Sequence, residues 1–141
     1  MNMEKKSIFG DETVGQVLEC APRRMLDDIS CIGGIISHGK VTFQFRGQEL
    51  QEYVYLYIKT LIEAGGIVIA ADGPEERDQV WMPVARYGMT PEDIARNIVA
   101  EWVAQGEPDI DAFVGIAFTM PDYIDSDDNS KAWHRANPPK L

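Results

Sequence analysis

Two histidines, two cysteines and a large excess of acids are the groups in this chain that could do chemistry. His38 stands in Ser37-His38-Gly39-Lys40, which reads as a hairpin turn, and His134 lies in a polar C-terminal stretch. A nucleophilic dyad needs a thiol beside a base that takes its proton, and the spacing of Cys20 and Cys31 from either histidine does not supply one. The cysteines are eleven residues apart, which is not the spacing of a metal knuckle. Both sit among apolar helix formers, where a thiol is expected to pack as a small hydrophobe. No catalytic residue and no metal ligand is assigned.

Carboxylates are too many for any pair to be diagnostic. Asp125-Ser126-Asp127-Asp128-Asn129 starts like a calcium loop. Ser130 then stands where that loop requires Gly, and Ala136 where it requires a bidentate Glu. Gly33-Gly34 and Gly65-Gly66 belong to no phosphate-binding fingerprint, and each reads as the end of a helix. No cofactor is implied.

The charge balance is more informative. Among 141 residues, 13 Lys and Arg face 23 Asp and Glu, a formal charge of -10. Such a field repels phosphate backbones and attracts basic surfaces. Between Glu107 and Asp128 there are seven acids and no Lys or Arg. Asp109, Asp111, Asp122, Asp125, Asp127 and Asp128 are therefore the candidate partner-binding carboxylates. Tyr123 and Trp133 are the candidate aromatic anchors, since a desolvated ring contributes more than another exposed acid.

Elements must position these groups. A hydrophobic content of 45 % is enough for one core. Val14, Val17, Leu18 and Ala21 mark a helix over Glu12–Ala21 that Asp11 can cap, and Met25, Leu26, Ile29 and Ile32 continue the stripe beyond Pro22. Whether this is one kinked helix or two stays open. Ile35-Ile36 and Val41-Thr42-Phe43-Gln44-Phe45 read as the arms of a hairpin, because Val41, Phe43 and Phe45 alternate with polar residues.

Gln48–Ala64 carries the strongest helical stripe, in Leu50, Val54, Tyr57, Ile58 and Leu61. Ile67–Ala71 follows as a strand, and Val80–Val84 returns as an edge strand because Pro83 lacks a donor. Thr90-Pro91-Glu92-Asp93 announces a helix running to Gln105, with Met89 and Ile94 as its hydrophobic staple. Phe113–Phe118 reads as a further strand. Trp81, Met82 and Phe118 suit either an internal core or a subunit seam.

The expected fold is α+β: three or four helices on a small, mainly antiparallel sheet, with a winged-helix-like succession over Gln48–Arg86 in the middle. Residues 1–121 form the expected compact domain. Residues 122–141 are expected to be a polar, partly disordered tail. No apolar run approaches the roughly 20 residues of a membrane helix, and no signal peptide is visible, so a cytoplasmic location is expected.

The helix Glu52–Ala64, the segment Gly65-Gly66-Ile67-Val68-Ile69-Ala70, the helix Pro91–Gln105 and the apolar Phe113–Phe118 together loosely resemble small immunity proteins of bacterial polymorphic toxin systems. The likeness is one of pattern, covers about half the chain, and carries no diagnostic motif. It implies a noncatalytic, cytoplasmic protein that inhibits a cognate toxin by direct binding. A basic protein is then the expected partner, and nucleic acid and membrane are not. The alternative is a winged-helix-like transcription regulator or DNA-associated protein. Lys59 alone among the bases of the candidate recognition helix makes that a poor phosphate surface.

Overall fold

The computed structural model describes residues 1–27, 29–72, 80–108 and 115–122. Within them the fold is α+β, with four helices packed on a four-stranded antiparallel sheet. The order is α1 (Val14–Asp27), β1 (Ser30–Cys31), α2 (Ile32–Thr42), α3 (Gly47–Glu63), β2 (Ile67–Asp72), β3 (Val80–Pro83), α4 (Pro91–Ala104) and β4 (Ile116–Thr119). The strands run β1-β4-β2-β3 across the sheet.

The first helix is continuous through Pro22. Its buried stripe of Val14, Val17, Leu18, Ala21 and Met25 extends past the proline, so packing holds the two halves together. Thr13, rather than Asp11, caps it. Thr13 Oγ1 accepts from the Gln16 amide at 3.2 Å while Gln16 Oε1 accepts from the Thr13 amide at 2.9 Å. That reciprocal pair is a capping box, written in the sequence as Thr13-Val14-Gly15-Gln16.

The largest correction concerns residues 32–45. The expected hairpin is instead helix α2, and Ile32 begins it rather than ending the stripe of α1. Gly33 and Gly34 lie in its first turn and stop nothing. Ile32, Ile35, Ile36 and Gly39 are buried at three- and four-residue spacing, the period of a helix. The alternation of Val41, Phe43 and Phe45 comes from a different cause. Gln44 takes a left-handed conformation with φ 56°, so Phe43 and Phe45 both turn into the core. Gly39 permits the packing: a Cβ there would stand 2.8 Å from Leu50 Cδ1 and from Tyr53 Cδ1.

Helix α3 is the centre of the domain. Leu50, Tyr53, Val54, Tyr57, Ile58 and Leu61 are buried, and the helix touches α1, α2 and, most extensively, α4. It ends as its glycines require: Gly65 has φ +98°, and the Gly66 amide donates to the Leu61 carbonyl at 3.0 Å. Strand β2 is central, pairing with β3 on one edge and β4 on the other. β3 with Pro83 lies at the sheet edge, where a missing donor costs least.

Val68 and Phe118 are cross-strand partners that project into the helix-side core. Ile69 and Ala117, on the opposite face, are buried as well. Phe118 therefore belongs to the interior, whereas Met82 stays half-exposed. At α4, Thr90 Oγ1 accepts from the Asp93 amide at 3.1 Å and Pro91 occupies the first turn. Met89 forms no staple with Ile94, because its side chain is 95 % exposed.

Candidate functional site

The predicted partner-binding residues fall mostly where the structure gives no account. Asp109, Asp111, Tyr123, Asp125, Asp127, Asp128 and Trp133 lie outside the described residues, as does His134. Asp122 is described and is exposed, just beyond β4. Glu107, which opens the acidic stretch, accepts from Gln51 Nε2 at 3.1 Å and is thereby tied to α3. The stretch is divided by its own middle. β4 lies inside the sheet, so Glu107 precedes a buried strand and Asp122 follows it.

The two cysteines are not core groups. Both are exposed. Cys20 falls on the outer face of α1 with Gln16, Glu19 and Arg23, and together with Glu12 these residues line an open groove of about 530 Å³. The inner stripe of the helix is already filled by branched and aliphatic residues, which leaves the thiol outward.

Beside that face lies the most chemically organised cluster among the described residues. His38, in α2, places Nδ1 2.7 Å from the hydroxyl of Tyr53 in α3. Tyr53 is fully buried, and its ring packs with Phe43, Phe45 and Tyr57. Burial lowers the His38 pKa, Arg24 lowers it further, and Glu12 opposes them weakly. Burial, followed by neighbouring Tyr57, raises that of Tyr53 far above the phenol range. The pair is thus a neutral imidazole and a neutral phenol at ordinary pH. Each satisfies the other, so His38 is a part-buried hydrogen-bonding group rather than a free base.

Arg24 completes the cluster. Burial raises the Tyr57 pKa and Arg24 opposes that rise, while the Arg24 guanidinium lies 3.9 Å from Glu12. A second polar knot closes the far side of the domain. The Tyr87 hydroxyl hydrogen-bonds Glu101, Arg86 reaches the same carboxylate at 3.1 Å, and its guanidinium stacks 4.2 Å over the Tyr87 ring. Asn97 Nδ2 donates to the Tyr87 carbonyl at 2.7 Å. These contacts anchor the segment entering α4, and every carboxylate oxygen in the knot is occupied by a donor.

The described surface also presents an apolar tip absent from the sequence-based assignment. Phe9 is 73 % exposed, Ile8 52 % and Val41 53 %. The Ile8 amide donates to the Thr42 carbonyl at 2.9 Å, which brings the N-terminal loop against the end of α2. Nothing in the local pattern of either segment signals this meeting, since it is a contact between distant parts of the chain.

Among the described residues no group of three or more His, Cys, Asp or Glu is placed to hold a metal ion, and no helix is long and apolar enough to cross a membrane. In comparison with known proteins, no family model, no curated protein and no solved structure matches the chain.

Proposed function

We propose that the protein is a noncatalytic protein-binding or inhibitory domain, of the kind that neutralises a cognate toxin by covering a basic surface. The observation that carries this reading is the formal charge of -10, with seven acids and no base between Glu107 and Asp128. An acidic field accelerates encounter with a basic partner and suppresses encounter with nucleic acid. The outward positions of α3 add to it, with Glu49, Glu52 and Glu63 exposed and Lys59 drawn to Glu63 at 3.4 Å.

The test is a pull-down at moderate salt with the full chain, followed by reversal of Asp109, Asp111, Asp125 and Asp127 to Lys. Loss of one specific partner with unchanged folding supports the acidic surface; unchanged affinity removes it. Co-expression with the product of the neighbouring gene tests inhibition directly, and undiminished toxicity rejects that pairing.

A second reading is favoured by the succession α3, a two-glycine turn, β2 and β3, which matches the helix and wing of a winged-helix DNA-associated protein. The enclosure of α3 by α1, α2 and α4 weighs against its entering a major groove. Submicromolar binding to duplex DNA at physiological salt would favour this second reading.

A further inference from the structure

We propose that the tip formed by Ile8, Phe9 and Val41, flanked by Lys5 and Arg46, docks a short segment of a protein partner that combines carboxylates with apolar side chains. Its flanking cations are opposite in sign to the acids of the stretch Glu107–Asp128.

Single exposed apolar residues are ordinary, but three from two segments joined by a backbone hydrogen bond form a patch. Phe9 is the most exposed aromatic among the described residues, and the loop carrying it is held firmly. The Ser7 amide donates to the Glu12 carbonyl at 2.8 Å, the Val14 amide to the Lys5 carbonyl at 3.0 Å, and Lys6 bridges to Thr13. The Phe9 amide itself donates to Ser7 Oγ at 3.0 Å. An aromatic ring presented on a pre-ordered loop loses little entropy on binding, which is what an anchor residue requires.

Charge selects the partner. The Lys5 ammonium sits 4.6 Å from the centre of the Phe45 ring, and Arg46 donates to the carbonyls of Lys40 and Phe45 at 3.0 and 2.7 Å. The contacts that order both cations are with neutral groups. The nearby carboxylates of Asp11 and Glu12 meet Lys6 at 3.8 Å and Arg24 at 3.9 Å. An anionic partner therefore finds two oriented cations beside an apolar anchor. A peptide suits this better than a lipid surface. Polybasic membrane sites use about four to eight clustered cations, and a bilayer would also face the acidic remainder of the domain. A short segment meets only the charges within about 8 Å, the screening length at physiological salt.

Random twelve-residue peptides displayed on phage, panned on the full chain and counter-selected on its Phe9→Asp variant, test the proposal. The expected peptides carry Asp or Glu beside Leu, Ile, Val or aromatic residues. Their affinity falls at least tenfold in Phe9→Asp and in Arg46→Glu, and weakens with added salt. Val41→Asp, which replaces neither Lys5 nor Arg46 nor a side chain that either contacts, repeats the test if Arg46→Glu lowers the melting temperature. Recovery of no discriminating peptide, or of basic ones, overturns the proposal. So does Phe9-dependent binding to phosphatidylserine vesicles, or Phe9-dependent self-association in sedimentation, in place of peptide binding. The acidic-surface variants leave this readout untouched, so each idea fails separately.

Discussion

The Nδ1 atom of His38 and the hydroxyl of Tyr53 lie 2.7 Å apart, joining α2 to the buried side of α3 through a single polar contact. Phe43, Phe45 and Tyr57 pack around the Tyr53 ring, so the bond is made in largely apolar surroundings where an unpaired polar atom is costly.

Removing the phenol oxygen tests the contact. Tyr53→Phe is expected to lower stability by about 1–2 kcal/mol, since it leaves a part-buried imidazole nitrogen without its partner. Urea unfolding followed by tryptophan fluorescence reads the change. A midpoint equal to wild type would show that the pair contributes nothing.

The same pair predicts a pH dependence. The folded-state pKa of His38 is lowered from 6.5, first by burial and then by Arg24, so the unfolded chain takes up this proton at a higher pH than the native one. Stability is unaffected by this group above pH 6.5 and declines as pH falls below it, toward the lowered folded value. His38→Gln should flatten the stability profile just below pH 6.5, measured by denaturant midpoints. An unchanged slope would assign the decline to other groups.

Two glycines of α2 should respond oppositely to alanine. Gly39→Ala forces a methyl group to 2.8 Å from Leu50 Cδ1 and Tyr53 Cδ1, and should cost about 1–3 kcal/mol. Gly34 has open space around it, so Gly34→Ala should stabilise by roughly 0.5–1 kcal/mol through helix propensity alone. Thermal unfolding distinguishes the two, and a shift of the same sign in both would contradict this packing of α2 on α3.

The caps offer a further check. Thr13→Ala and Thr90→Ala each remove a side-chain oxygen that accepts a helix amide, and should each lower stability by about 1 kcal/mol. The sites belong to different helices with no shared partner, so the double variant should show the sum. Strong non-additivity in the denaturant midpoint would mean that one helix depends on the other's cap.

Where neighbouring residues alone specify the backbone, the reading from sequence held. The end of α3 at Gly65-Gly66 and the start of α4 at Thr90-Pro91 depend on φ preference and on side-chain acceptors within a few residues. The Thr13–Gln16 box has the same local character, but the sequence reading placed the cap at Asp11 and did not name the box. At Val41–Phe45, by contrast, alternation of apolar residues satisfied the strand template while a left-handed Gln44 produced the same inward pair of rings. Ile32, Ile35, Ile36 and Gly39 held the competing helical period, and only the fit of Gly39 against Leu50 and Tyr53 decides between them.

Of the candidate sites, the acidic stretch was visible as composition, because net charge needs no coordinates. The meeting of Ile8 and Phe9 with Val41, the pairing of His38 with Tyr53, and the outward turn of Cys20 were not. By itself the sequence determined an α+β domain, the limits of its clearest helices and strands, and a strongly acidic field, all of which follow from local preference, periodicity and charge. Only the tertiary structure decided that α2 is a helix, which polar groups are buried together, and which apolar residues remain outside. Those outcomes rest on contacts between segments far apart in the chain, where packing outweighs the weaker preferences of each segment alone.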